Sequence, residues 1–276
     1  MPTISDRAGW LAGLILLALS GAIAAESAPR AVSLAPSLTE LAFAAGAGDR
    51  LVGAVEWSDY PPEAAELPLI GDAFRFDLER IVALSPDLAL AWQGGTPVRA
   101  AARIESVGIR VVWVATSTLE EIATALEQVG AELGRAESGR KAAGGFRQRL
   151  KALKTEYRTE QRPIPVFYQV ASRPLYTLGG RHVINEVMAI CGMENLFAGL
   201  DTEAAVVDFE AVLAAGPQMI LAGDEPGNSD PLKRWRESGL VDDGVALHRV
   251  EATLLVRPTP RLADGIEALC SLREGG

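Results

Sequence analysis

Short apolar runs alternate with amphipathic segments along most of the chain. Ala31 to Leu34, Leu51 to Val55, Leu88 to Trp92 and Val111 to Val114 are brief and almost wholly apolar. Such runs read as buried strands and the amphipathic stretches between them as crossover helices, the pattern of a sheet covered by helices. Helix starts are expected at Ser37 with Glu40 and at Thr118 with Glu121, both at capping-box spacing, and at Thr96 before Pro97. From Glu137 to about Gln161 the pattern changes, with Arg140, Lys141, Arg147, Arg149, Lys151, Lys154 and Arg158 recurring around Phe146, Leu150, Leu153 and Tyr157. This predicts one long, largely exposed helix, weakened at Gly144 and Gly145 by about 1 kcal/mol each. After Pro163 and Pro165 the alternation resumes. Strands are expected at Val166 to Gln169, Met219 to Ala222 and Val245 to Val250, and helices at Val183 to Ala189 and Arg261 to Leu272. The expected organisation is an α/β lobe over 26–136, an interdomain helix over 137–162 and a second α/β lobe over 163–276.

A repeat supports two similar lobes. Asp77-Leu-Glu-Arg-Ile-Val-Ala-Leu-Ser-Pro-Asp-Leu-Ala-Leu-Ala91 aligns without a gap with Asp208-Phe-Glu-Ala-Val-Leu-Ala-Ala-Gly-Pro-Gln-Met-Ile-Leu-Ala222. In each copy an Asp is expected to cap a short helix, a Pro ends it, and an apolar strand follows. Two such lobes facing each other leave a cleft, a common place for a small ligand.

The first residues set the compartment. Arg7, the apolar run Trp10 to Leu19 and the small residues Ala22-Ile23-Ala24-Ala25 form a signal-peptide pattern over 1–25, too short for a spanning helix. No cysteine lies near the cleavage point, so a soluble monomer in the periplasm is expected rather than a lipid-anchored form. The net charge of -10 argues against nucleic acid, whose binding depends on Lys and Arg neutralising phosphates. Cys191 and Cys270 are the only cysteines. In an oxidising compartment an even pair is expected to form a disulfide, the alternative being two buried thiols. His182 and His248 are the only histidines, too few for an ordinary protein-built zinc or manganese site, and no metal or cofactor is expected.

The usual enzyme constellations are missing: no Gly-x-Ser-x-Gly elbow, no phosphate loop ending Gly-Lys-Ser/Thr, no His-Glu-x-x-His. No catalytic residue is assigned, although a hydrolase built on His182 or His248 stays open as an alternative. Gly179-Gly180-Arg181-His182 before a helix reads as an anion-binding turn or as a plain tight turn. Aromatic residues are scarce, yet Trp57, Tyr60, Phe74, Trp92 and Tyr176 fall in loops at expected strand ends. There they either stack on a flat or apolar ligand or pack the rim. Glu79 and Glu210 occupy the same slot of the repeat. They either offset the helix dipole, for about 0.3 to 1 kcal/mol, or serve as docking charges on a two-fold symmetric partner.

Taken together, Ser37-Leu-Thr-Glu-Leu-Ala-Phe-Ala-Ala-Gly46, Ser58-Asp-Tyr-Pro-Pro62, Leu78-Glu-Arg-Ile-Val-Ala-Leu84, Pro86-Asp87-Leu88, Ala91-Trp92 and Cys191-Gly192 with Glu194-Asn195 resemble the periplasmic cobalamin (vitamin B12)-binding proteins of ABC importers. These are helical-backbone substrate-binding proteins, and the likeness runs from about Pro29 to the C-terminus. It implies two lobes around one stiff helix, with a corrinoid between them. By the same resemblance Tyr60, Trp92 and Tyr176 line the pocket and Arg257 is a polar pocket residue. Glu79 and Glu210 would pair with permease arginines, and Cys191 with Cys270. Where the family places further tryptophans this chain has Ala73 or Phe74, then Ala204 and Leu254, and Thr253 replaces an aspartate. Each lost ring removes about 0.5 to 1.5 kcal/mol of stacking. The alternatives are haem or a ferric siderophore as the ligand, or a corrinoid-modifying enzyme.

Overall fold

The computed structural model describes residues 28–224, 230–239, 241 and 244–274. The expected signal peptide lies outside the described residues. The chain begins with β1 (Ala31–Ser33), α1 (Pro36–Ala44), β2 (Leu51–Ala54), α2 (Leu78–Ala83), β3 (Leu88–Trp92), α3 (Val98–Glu105) and β4 (Arg110–Val114). The four strands make one parallel sheet in the order β2-β1-β3-β4. Two long helices follow, α4 (Leu119–Glu132) and α5 (Ala136–Glu156). The second half comprises β5 (Ile164–Gln169), β6 (Ala171–Ser172), β7 (Leu175–Leu178), α6 (Ile184–Ile190), β8 (Met193–Asn195), β9 (Ala204–Val206) and α7 (Phe209–Ala215). After these come β10 (Met219–Gly223), α8 (Lys233–Glu237), β11 (Ala246–Val250), α9 (Ala252–Val256) and α10 (Leu262–Glu274). Its parallel sheet runs β8-β5-β10-β11, and a small antiparallel sheet β6-β7-β9 is added to it. In both parallel sheets the strand that opens the lobe is internal, and the next one joins it at an edge. The two halves therefore share a topology as well as a stretch of sequence.

The repeat holds in detail, with one departure. The Asp77 carboxylate accepts from the Arg80 amide at 3.0 Å, but Asp208 at the matching position makes no side-chain cap. Both helices end the same way: Ser85 (φ 49°) and Gly216 (φ 68°) adopt the left-handed conformation just before Pro86 and Pro217. A proline disfavours the right-handed helical region for the residue ahead of it. The left-handed residue stops the helix, and Ser85 takes a conformation usually left to glycine.

Other expected helix starts shift. α1 opens on Pro36 with Ala35 extended and no side-chain cap, so Ser37 lies inside the first turn. Proline suits that place because the N–H it lacks would have no helical partner. Thr96 caps nothing; its hydroxyl accepts from the Trp92 amide at 2.9 Å and folds back on the strand end. Thr118 does cap α4, accepting from the Glu121 amide at 3.0 Å, while the Glu121 carboxylate takes the Ser117 amide at 2.7 Å. α5 passes through Gly144 and Gly145 but stops at Glu156, short of Gln161. Beyond it the Thr159 hydroxyl accepts from the Gln161 amide, a local turn that competes with helix.

α5 is less exposed than its composition suggests. Gly139, Ala143, Phe146, Leu150 and Leu153 are buried on one face. α4 and α5 approach so closely that a Cβ on Gly139 would lie 2.5 Å from the Leu126 carbonyl oxygen, and one on Gly130 2.8 Å from the Gly139 Cα. One apolar core runs unbroken from Leu38, Leu41 and Leu90 through Phe146 and Leu150 to Tyr168, Val187 and Ile266. The far faces of the two sheets have separate cores, one around Ile70, Ile81 and Ile104 and the other around Phe167, Phe209 and Trp235. Cys191 and Cys270 are joined in a disulfide that ties the end of α6 to α10, both in the second half.

Candidate ligand groove

In a parallel α/β sheet the loops at the carboxyl ends of the strands form the binding edge. Two depressions lie there, on either side of the Trp92–Thr96 loop. One, of about 180 Å³, is lined by Leu34, Pro36, Phe74, Trp92 and Thr96 from the first half and by Val256 and Arg257 from the second. The other, of about 570 Å³, is lined by Gln93, Gly94 and Ser117 on one side and by Arg181, Glu203 and Ala204 on the other. Each draws residues from both halves, which makes the pair one groove between the sheets.

Trp92 is the fixed point of this groove. Its indole N–H donates to the Thr116 hydroxyl at 2.9 Å. A Cβ on Gly94 or Gly95 would fall 2.7 or 2.4 Å from the indole ring, so only glycine lets the loop lie against it. Trp57, Phe74, Tyr60 and Tyr176 are exposed, Phe74 by 72% and Trp57 by 65%. Burial against a guest is the ordinary use of such uncovered rings. Trp57 also has φ 66°, rare for a bulky residue.

A charged brace crosses the groove. The Arg257 guanidinium donates to Glu40 Oε1 at 2.9 Å, Asp59 Oδ1 at 2.6 Å and the Trp57 carbonyl at 3.1 Å. Glu40 is buried; its second oxygen makes no hydrogen bond and faces Arg261 at 3.5 Å. Arg261 in turn lies over the Tyr60 ring at 3.9 Å. Partial burial is the largest single effect on Asp59 and opposes its ionisation, but the Arg257 bond and charge, a backbone bond and the Arg261 charge together hold the carboxyl below its usual range. Arg257 is raised although burial works against it, because Asp59 and Glu40 both bond its charge. Arg257 thus lines the groove with its donors spent on the opposite half. Tyr60 also borders a flank depression of about 610 Å³ with Phe43 and Arg149.

Residues 32–242 match the periplasmic binding protein family. The chain belongs to that family. It is 38% identical over 245 residues to the vitamin B12-binding protein of Vibrio cholerae, covering 88% of each chain. The crystal structure of the periplasmic vitamin B12 binding protein BtuF of Vibrio cholerae is similar at a TM-score of 0.78, covering 88% of this chain and 96% of that one. A periplasmic heme-binding protein from Pseudomonas aeruginosa reaches 0.77 at 25% identity, covering 89% and 92%.

In this periplasmic binding protein not every expected residue meets the groove. Tyr176 sits on β7 opposite Val206 of β9 and lines neither depression. His182 is enclosed: Nδ1 accepts from the Ile184 amide at 3.0 Å and Nε2 faces the Val256 carbonyl at 3.3 Å. Burial drives its pKa down to about 4, so the ring is neutral and both nitrogens are in use. It caps α6 and offers nothing to a ligand's metal. Among the described residues no group of three or more His, Cys, Asp or Glu is placed to hold a metal ion, and no helix is long and apolar enough to cross a membrane. Glu79 and Glu210 are exposed on the first turns of α2 and α7 and make no ion pair among the described residues. Since each helix runs back along its sheet, both first turns lie at the edge from which the groove loops rise. Glu40, Asp59, Arg261 and Glu203 were not singled out as site residues by sequence reading. Glu40 was visible only as a capping partner, and pairs 198 and 217 residues apart leave no local signal.

Proposed function

We propose that this periplasmic binding protein is secreted through a signal peptide over 1–25, captures cobalamin or a related corrinoid in the groove, and delivers it to an ABC importer. What carries the reading is a groove between two like sheets, lined at its apolar end by Trp92 and the exposed Phe74, in a chain related along its length to vitamin B12-binding proteins. Trp92 and Phe74 stack on the macrocycle, with Trp57 and Tyr60 enclosing it from the loop after β2. Arg257 sets the distance between the halves. The ligand's metal arrives inside its macrocycle, so the protein supplies no metal site and no catalytic group. Glu79 and Glu210, one per half, dock on arginines of a two-fold permease; replacing both by Ala leaves capture intact and abolishes uptake.

Haem is the second reading, favoured by the similarity to a heme-binding protein and by the exposed phenols of Tyr60 and Tyr176, since a tyrosine can serve as an axial ligand. The two separate when the purified protein is incubated with cyanocobalamin, haemin or a ferric siderophore, gel-filtered, and scanned for retained visible absorbance. Retention of cyanocobalamin supports the corrinoid reading, and retention of haemin alone overturns it.

A further inference from the structure

The two depressions differ in kind. The one beside Trp92 and Phe74 is apolar and aromatic; the one beyond the loop is polar and acidic. There, Glu121, Asp201 and Glu203 stand against the single cation Arg181. Arg181 is already engaged by Asp201 through two bonds, at 2.6 and 2.8 Å, so the depression stays net acidic although Arg181 also acts on Glu203 at longer range. Arg257 at the apolar end is likewise spent on Glu40 and Asp59. Each arginine lining the groove is already paired with carboxylates of the protein, Arg181 with Asp201 and Arg257 with Glu40 and Asp59. The rest of the polar lining is neutral: Gln93, Ser117, whose hydroxyl donates to Glu203, and Thr202, whose hydroxyl donates to the Ala204 carbonyl.

Accepting that the ligand is a corrinoid, we infer that the polar end of the groove, formed by Glu121, Asp201, Glu203, Ser117 and Gln93, selects macrocycles rimmed by neutral amides and rejects those rimmed by carboxylates. A corrin ring bears amide side chains, whereas a haem bears two propionates. An amide donates to a carboxylate and accepts from the side-chain amide of Gln93; a propionate brought there meets a net negative charge whose one cation is already paired with Asp201, and juxtaposed like charges are strongly unfavourable at an interface. Glu203 also bonds the Ser117 hydroxyl across the groove at 3.3 Å, so its carboxyl is held from both halves. Burial pushes its pKa up, with the nearby Glu121 charge adding to this and the Ser117 hydroxyl and Arg181 opposing it.

The test uses cyanocobalamin, its separated monocarboxylic acids, in which one side-chain amide is hydrolysed, and haemin, each titrated against the wild-type protein, Glu203→Gln and Ala204→Lys. Ala204 is exposed at the rim of the same depression, so the lysine adds a cation without removing a buried contact. Expected is wild-type affinity for cyanocobalamin at least about tenfold above that for at least one monocarboxylate, with the ratio falling severalfold in both variants and haemin binding gained in Ala204→Lys. Tight cyanocobalamin binding with all monocarboxylates within twofold, or an unchanged ratio in both variants, overturns the selectivity and leaves the corrinoid reading standing. Haemin retained by the wild type in place of cyanocobalamin overturns both.

Discussion

Acidification should weaken this protein by more than its carboxylates require, because His182 is folded into a place that has no room for its charge. The ring is buried, caps α6 through Nδ1 and faces the Val256 carbonyl through Nε2. Its pKa is about 4 in the folded chain, against about 6.5 in an unfolded one. Between those values the unfolded chain binds a proton that the folded chain refuses, so stability is fully present above about pH 6.5 and is lost as pH falls, levelling off below about 4. At about 1.4 kcal/mol per pH unit, the loss from pH 7 to 5 is about 2 kcal/mol, and the limit is about 3 kcal/mol. Urea unfolding of the wild type and of His182→Asn at pH 7, 6 and 5 isolates this effect, since the carboxylate contributions are common to both. The asparagine variant is less stable at neutral pH, and the gap should narrow by about 2 kcal/mol on going to pH 5. A gap that stays constant to within about 0.5 kcal/mol, or an imidazole midpoint near 6.5 in the folded protein by NMR, refutes the reasoning.

Arg257→Ala leaves the buried Glu40 carboxylate only its longer contact to Arg261 and should cost up to about 3 to 5 kcal/mol, lowering the melting temperature by on the order of 10 °C. A loss under about 1 kcal/mol would show that the halves are not braced there. Gly139→Ala places a methyl against the Leu126 carbonyl and should destabilise by about 1 to 3 kcal/mol, despite alanine's better helix propensity. Gly144→Ala, where a Cβ would meet open space, should stabilise by up to about 1 kcal/mol in the same denaturation assay. Reducing the Cys191–Cys270 bond releases a loop of 79 residues and should cost about 4 to 5 kcal/mol on the chain-entropy account, read as a fall in urea midpoint with and without reductant.

The elements that sequence made legible are those with a local physical cause. The Asp77 and Asp208 segments gave away two halves because the same helix-to-strand unit needs the same turn before the same proline. Thr118 announced α4 because a cap acts over three residues. Pro36 hid the start of α1, since Ser37 and Glu40 at capping-box spacing offered a competing explanation for residues that serve the tertiary structure instead. The short strands β6, β7, β8 and β9 carry too few residues to show periodicity. Trp92 and Phe74, which line the groove, stood out in the sequence as rings at an expected strand end and in a loop, where apolar burial within an element cannot explain them. Its charged brace was not visible: Arg257, Glu40 and Asp59 meet only after both halves have folded. Nor does sequence separate a histidine that caps a helix from one that awaits a metal; the two nitrogen partners of His182 decide that.

The unbroken core beneath α5 bears on how the halves can move. To swing them apart would part side chains of both halves that share one core with Phe146 and Leu150 and open unfilled space among close-packed groups, which is costly at every step. The joint therefore behaves as a stiff mould rather than as a jaw. Whatever enters the groove would be measured against a shape already present rather than against how far the walls travel.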